Sequence, residues 1–144
     1  MRGCVITEKS EWYLVFTQGH HWFCNLCHPN YSHIYLITKD EFNWIVLNPT
    51  RWCLEVMIPA VSIVKPLPLE MVGEDDCVIK IVFGPRDIRK HYGHFGLYSC
   101  VVWCKYMLGL KCWALTPYSL FRRLIDMSRK QRDKLGIIDI ERVK

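Results

Sequence analysis

His33-Ile34-Tyr35-Leu36-Ile37-Thr38-Lys39-Asp40-Glu41-Phe42-Asn43-Trp44-Ile45-Val46-Leu47-Asn48 reads as two apolar strands around a polar turn. β-branched and aromatic residues favour extended backbone, and residues 38–43 interrupt them with the polarity of a hairpin loop. Pro49 cannot donate to a ladder and closes the second strand. With the turn centred between Asp40 and Glu41, Ile37 faces Trp44, Tyr35 faces Val46 and His33 faces Asn48. That register sets an imidazole beside an amide on one face of a sheet. A slip of one residue would carry Asn48 to the other face.

Outward from the hairpin, Trp12-Tyr13-Leu14-Val15-Phe16 and Cys77-Val78-Ile79-Lys80-Ile81-Val82-Phe83 have the same strand character. Residues 54–64 are extended in pattern, with Pro59 marking an edge, a bulge or a break. Lys65-Pro66-Leu67-Pro68 is a stiff connector and Gly73-Glu74-Asp75-Asp76 a turn. Residues 99–108 are helical by pattern, with Val101, Cys104 and Leu108 on one face and Gly109 as the residue past the end. Thr116-Pro117 opens a second helix as N-cap and first helical residue, with Leu115 placed to staple against Leu120. From Arg122 onward the chain is charged, mixed in sign and helical in part. Strands first and helices last predict an α+β fold, an antiparallel sheet with helices packed on one side.

The 144 residues fit one domain, 1–144, with the charged segment from about residue 122 as its end. A composition 51% apolar and 23% charged is that of a globular chain. The net charge of +5 permits an anionic partner without requiring one. No apolar run approaches the roughly 18 residues of a membrane span. The first residues lack the apolar core of a signal peptide, and eight cysteines then favour reduced thiols in a cytoplasm.

Cys100 follows Ser99 at the predicted helix start, where unpaired backbone N–H groups and the helix dipole favour a thiolate. A thiol hydrolase needs a sulfur nucleophile, an imidazole base and a polar group to orient the ring. Cys100, His33 and Asn48 supply those three types. The helix N–H groups, with Tyr98 as a candidate donor, would stabilise an oxyanion. Each residue also has a structural role open to it: a cysteine in an apolar helix fills core, as Cys104 does on the buried stripe, and a strand histidine hydrogen-bonds its neighbours.

Tyr98-Ser99-Cys100-Val101-Val102-Trp103-Cys104-Lys105-Tyr106-Met107-Leu108-Gly109, followed by Leu115-Thr116-Pro117-Tyr118-Ser119-Leu120, resembles the C-terminal part of circularly permuted NlpC-type papain-like hydrolases. His33-Ile34-Tyr35-Leu36 and Trp44-Ile45-Val46-Leu47-Asn48-Pro49 resemble that family's histidine strand and its partner. The resemblance spans about residues 30–127. It implies a papain-like core and thiol attack on an amide or ester, with Cys100 as nucleophile, His33 as base and Asn48 as the orienting residue. Many such short proteins look phage- or bacterium-encoded, which would place this chain in a host cytoplasm. The chain lacks the Asp-Cys-Ser signature of better-defined members. Peptide, cell-wall amide and lipid ester substrates therefore all stay open.

His20-His21-Trp22-Phe23-Cys24-Asn25-Leu26-Cys27-His28 is a rival site. Cys24 and Cys27 can direct two sulfurs at one Zn²⁺, with His20, His21 or His28 adding a nitrogen. His91 and His94 are a remote second half, and no well-spaced second ligand pair is present. A redox-labile cysteine pair and a plain aromatic loop are the other readings of the same residues. Arg122, Arg123, Arg129, Lys130, Arg132 and Lys134 bias the end positive, but Asp126 and Asp133 interrupt them. A solvated helix face, rather than nucleic-acid binding, is the expectation there. The alternative to a hydrolase is a catalytically inactive papain-like interaction module, phage-encoded and braced by zinc, since a fold does not establish an activity.

Overall fold

The hairpin at residues 33–48 lies inside a six-stranded antiparallel sheet in a computed structural model that describes residues 5–6, 8–19, 28–50, 53–61, 67, 69–87 and 99–144. Its strands are β2 (Ser10–Thr17), β3 (His33–Lys39), β4 (Trp44–Pro49), β5 (Leu54–Met57), β6 (Cys77–Phe83) and β8 (Ile137–Arg142), in the order β5-β4-β3-β2-β6-β8. A separate ribbon pairs β1 (Val5–Ile6) with β7 (Arg86–Asp87). Three helices, α1 (Cys100–Leu108), α2 (Pro117–Ile125) and α3 (Arg129–Lys134), lie between β7 and β8 in the chain, and a 3₁₀ turn covers Leu69–Met71. The chain is α+β.

Each face of the sheet carries its own core. Leu14, Phe16, Ile34, Leu36, Leu47, Ile79 and Ile81 alternate onto one face, where they meet Val101, Cys104 and Leu108 of α1 and Leu120 and Leu124 of α2. Tyr13, Val15, Ile37, Trp44, Val46 and Val78 point the other way and are covered by Leu67, Met71 and Val72. With both faces buried, β2, β3 and β6 read as almost continuous apolar runs. α1 packs mainly on β3 and β4, the two strands of the hairpin.

The β3–β4 register differs from the expectation. Lys39 pairs with Trp44, Ile37 with Val46 and Leu36 with Leu47, so the turn is centred between Glu41 and Phe42. Asp40 causes the displacement. Its Oδ1 accepts from the N–H of Phe42 at 2.7 Å and of Asn43 at 2.6 Å, and its own N–H donates to the Asn43 carbonyl at 3.0 Å. Residues 40–43 thus close a four-residue loop around one carboxylate. The displacement moves each partner by two positions, which preserves the face of every side chain.

The helix termini follow their local chemistry. Ser99 caps α1, its Oγ accepting from the Val102 N–H at 3.3 Å, and Gly109 ends it at φ 63°, a conformation that costs a side chain with Cβ. Thr116 and Ser119 form a reciprocal capping box at α2. The staple expected from Leu115 is absent: that side chain is 74% exposed, and Ser119 Oγ takes the Leu115 N–H instead. Between the two helices, buried Lys105 donates through Nζ to the carbonyls of Cys112 (3.2 Å) and Ala114 (2.9 Å), tying the connecting loop to α1.

The charged end is only half helical. α3 stops at Leu135, Gly136 turns the chain at φ 67°, and Ile137 begins the edge strand β8 against β6. Ile137 and Ile140, three residues apart, both face the core while Ile138 faces solvent, because a bulge opposite Val82 and Phe83 breaks the period of two. The connector at residues 65–68 lies outside the described residues, apart from buried Leu67.

Candidate functional site

Three side chains form one polar chain across the end of the hairpin. His33 Nε2 stands 2.8 Å from Asn48 Oδ1, and Asn48 Nδ2 donates to Glu55 Oε2 at 3.0 Å. All three lie on the face of Tyr35, Ile37 and Val46, because Asn48 pairs directly with Glu55 and lies diagonally across from His33. An amide oxygen only accepts, so Nε2 carries the ring proton in the neutral imidazole. Nδ1 then keeps its lone pair and can take a proton. Sequence reasoning found His33 and Asn48 but missed Glu55. Its signal was the strand pattern of residues 54–57 after the tight turn, which sets Glu55 against Asn48.

Cys100 is the first residue of α1 and is half-buried against the core on the helix side of the sheet. The N-terminal N–H groups of a nine-residue helix surround that position, and its dipole favours a thiolate there. Cys104, one turn on, is fully buried. Burial, and secondarily the neighbouring Cys100, push its thiol well above the usual range. The structure therefore joins His33 directly to Asn48 and places Cys100 on the other side of the sheet's mid-plane. His33 is the first residue of β3.

Beside Asn48, on the same face as His33, a cleft of about 380 Å³ is lined by Tyr35, Val46, Met57, Pro59, Glu70 and Met71. Its walls are mainly apolar. Tyr35 donates its hydroxyl to the Met71 carbonyl at 3.1 Å and presents its ring, and burial pushes its phenol pKa up. Glu70 sets an exposed carboxylate at the cleft.

The other expected site residues divide in two. Tyr98, His20, His21, Cys24, Cys27, His91 and His94 lie outside the described residues. His28 is described, stacked on Tyr118 (4.4 Å between centroids) and near-parallel to Tyr31 (5.2 Å), the two tyrosine rings standing 6.3 Å apart. Its Nδ1 accepts from the N–H groups of Asn30 and Tyr31, which leaves Nε2 as the protonated nitrogen of the neutral ring. A metal at His28 would need the other tautomer or the loss of both bonds. Among the described residues no group of three His, Cys, Asp or Glu side chains is arranged to hold a metal ion, and no helix is long and apolar enough to cross a membrane.

No protein-family model, curated protein or solved structure matches the chain.

Proposed function

We propose that the chain is a cysteine hydrolase of papain-like, permuted NlpC-type architecture that cleaves an amide or ester bond. The observation that carries this reading is the 2.8 Å contact from His33 Nε2 to Asn48 Oδ1, which leaves Nδ1 as the basic nitrogen. In the reaction Nδ1 accepts the Sγ proton of Cys100 and the thiolate attacks the carbonyl carbon. Backbone N–H groups at the start of α1 support the oxyanion. The C–N or C–O bond breaks as the imidazolium returns its proton to the leaving group. Water, deprotonated by the same ring, then cleaves the thioester and restores the thiol. Peptide, cell-wall amide and lipid ester substrates all fit this reading. Zinc at Cys24 and Cys27 would brace the segment before β3 without entering the chemistry.

The test is the rate of iodoacetamide labelling at each cysteine across pH, followed by mass spectrometry, in the wild type and in His33→Ala. Rapid labelling of Cys100 at mildly acidic pH, slowed by the substitution, is the expected result. Equal, slow labelling in both proteins would overturn the reading. One observation favours a second reading, the catalytically inactive interaction module: strand alternation turns His33 away from the face on which α1 packs. That reading requires the indifferent labelling result.

A further inference from the structure

Resting on the reading of His33 as the base, we infer that Glu55 is a positioning residue that sets the tautomer of His33 through the amide of Asn48. An asparagine amide has two nearly isosteric ends, and either can face an imidazole nitrogen. With Oδ1 on the ring, Nε2 is the protonated nitrogen and Nδ1 the base. With Nδ2 on the ring, Nε2 must accept, the proton moves to Nδ1, and the nitrogen needed for a thiol proton is blocked. Nothing in the His33–Asn48 contact alone selects between these states.

Glu55 selects. An ionised carboxylate only accepts, so the amide end facing it must be Nδ2. The flipped amide would set its carbonyl oxygen against the carboxylate at the present 3.0 Å separation, a repulsive contact. The backbone holds Glu55 in place. Asn48 and Glu55 are direct partners in the β4–β5 ladder, and Pro49 pairs with Leu54 at its end. Thr50 locks the turn that sets this register: its N–H and its Oγ1 each donate to the Cys53 carbonyl at 2.8 Å, and Oγ1 accepts from the Cys53 N–H at 3.2 Å. Glu55 is exposed and edge-placed, so its role is separable from folding.

The experiment measures the tautomer of His33 by long-range ¹H–¹⁵N NMR, above the pH at which the ring titrates, in the wild type, Glu55→Ala and Glu55→Gln. Cys100 labelling rates are measured on the same samples. The wild type is expected to hold the proton on Nε2. Glu55→Ala is expected to show both tautomers and to lower the Cys100 rate about fivefold. Glu55→Gln, whose amide can meet Asn48 with either its oxygen or its NH2, loses the selection and is expected to show both tautomers as well. An unchanged tautomer in Glu55→Ala overturns the inference, even if Cys100 proves to depend on His33. A shifted tautomer with a Cys100 rate indifferent to His33→Ala supports the role of Glu55 and removes the hydrolase reading instead.

Discussion

Asn48 lies diagonally across the hairpin from His33 rather than opposite it, yet its Oδ1 reaches Nε2 at 2.8 Å. Diagonal neighbours on one face of an antiparallel pair stand close enough for long side chains to meet. The contact orients the ring and would stabilise the imidazolium formed when a thiol gives up its proton. Asn48→Ala removes both effects. Labelling of Cys100 at neutral pH is expected to fall about tenfold, the rate equivalent of a hydrogen bond to a charged group. A chemical denaturation curve should move little, because Asn48 is only half-buried.

Cys104 gives the internal control for that experiment. It is fully buried on the core side of α1, and its thiol is pushed well above the usual range by burial and then by Cys100. The exposed Cys53 faces solvent in the β4–β5 turn. In native protein at mildly alkaline pH, Cys53 is expected to label and Cys104 to stay protected until denaturant is added. Labelling of Cys104 on the native timescale would show that α1 does not hold its packing.

The strands of the hairpin, the helix starting at Cys100 and the Thr116-Pro117 helix entry were legible in the sequence because local rules dominate there. Apolar runs, caps and a glycine past the helix end needed no tertiary partner to interpret. The register was not legible to the residue. It depended on a loop whose geometry comes from one carboxylate, Asp40, bonding two backbone N–H groups. β8 was missed for a different reason. Ile137-Ile138-Asp139-Ile140 is short and embedded in charge, and it becomes a strand only because β6 offers an open edge. Glu55 escaped because its importance lies in what Asn48 does, a relation that appears only once β5 is in register.

Lys105 tests how the loop between α1 and α2 is held. A lysine 7% exposed, with its ammonium on the carbonyls of Cys112 and Ala114, satisfies its own burial and that of the loop together. Lys105→Met keeps much of the aliphatic volume and removes the donor. Urea unfolding is expected to show a loss of about 2 kcal/mol. Hydrogen exchange should quicken at residues 110–115, with β3 and β4 unaffected. Unchanged stability would mean that water replaces the ammonium without cost.

Asp40 connects the hairpin register to pH. The N–H of Phe42, then that of Asn43, hold its carboxyl below the ordinary carboxylate value of 3.8. A group whose pKa is lower folded than unfolded stabilises the fold above the unfolded pKa, and that contribution disappears as pH falls through the folded value. Asp40→Ala is therefore expected to lower the thermal midpoint at pH 7. The gap to wild type should close on acidification through about pH 4 and below, where both proteins lack the carboxylate. A gap that stays constant down to strongly acidic pH would show that the loop is set by backbone preference alone. A gap that closes would place the register of β3 and β4, and with it the diagonal meeting of His33 and Asn48, partly under the charge of one exposed side chain.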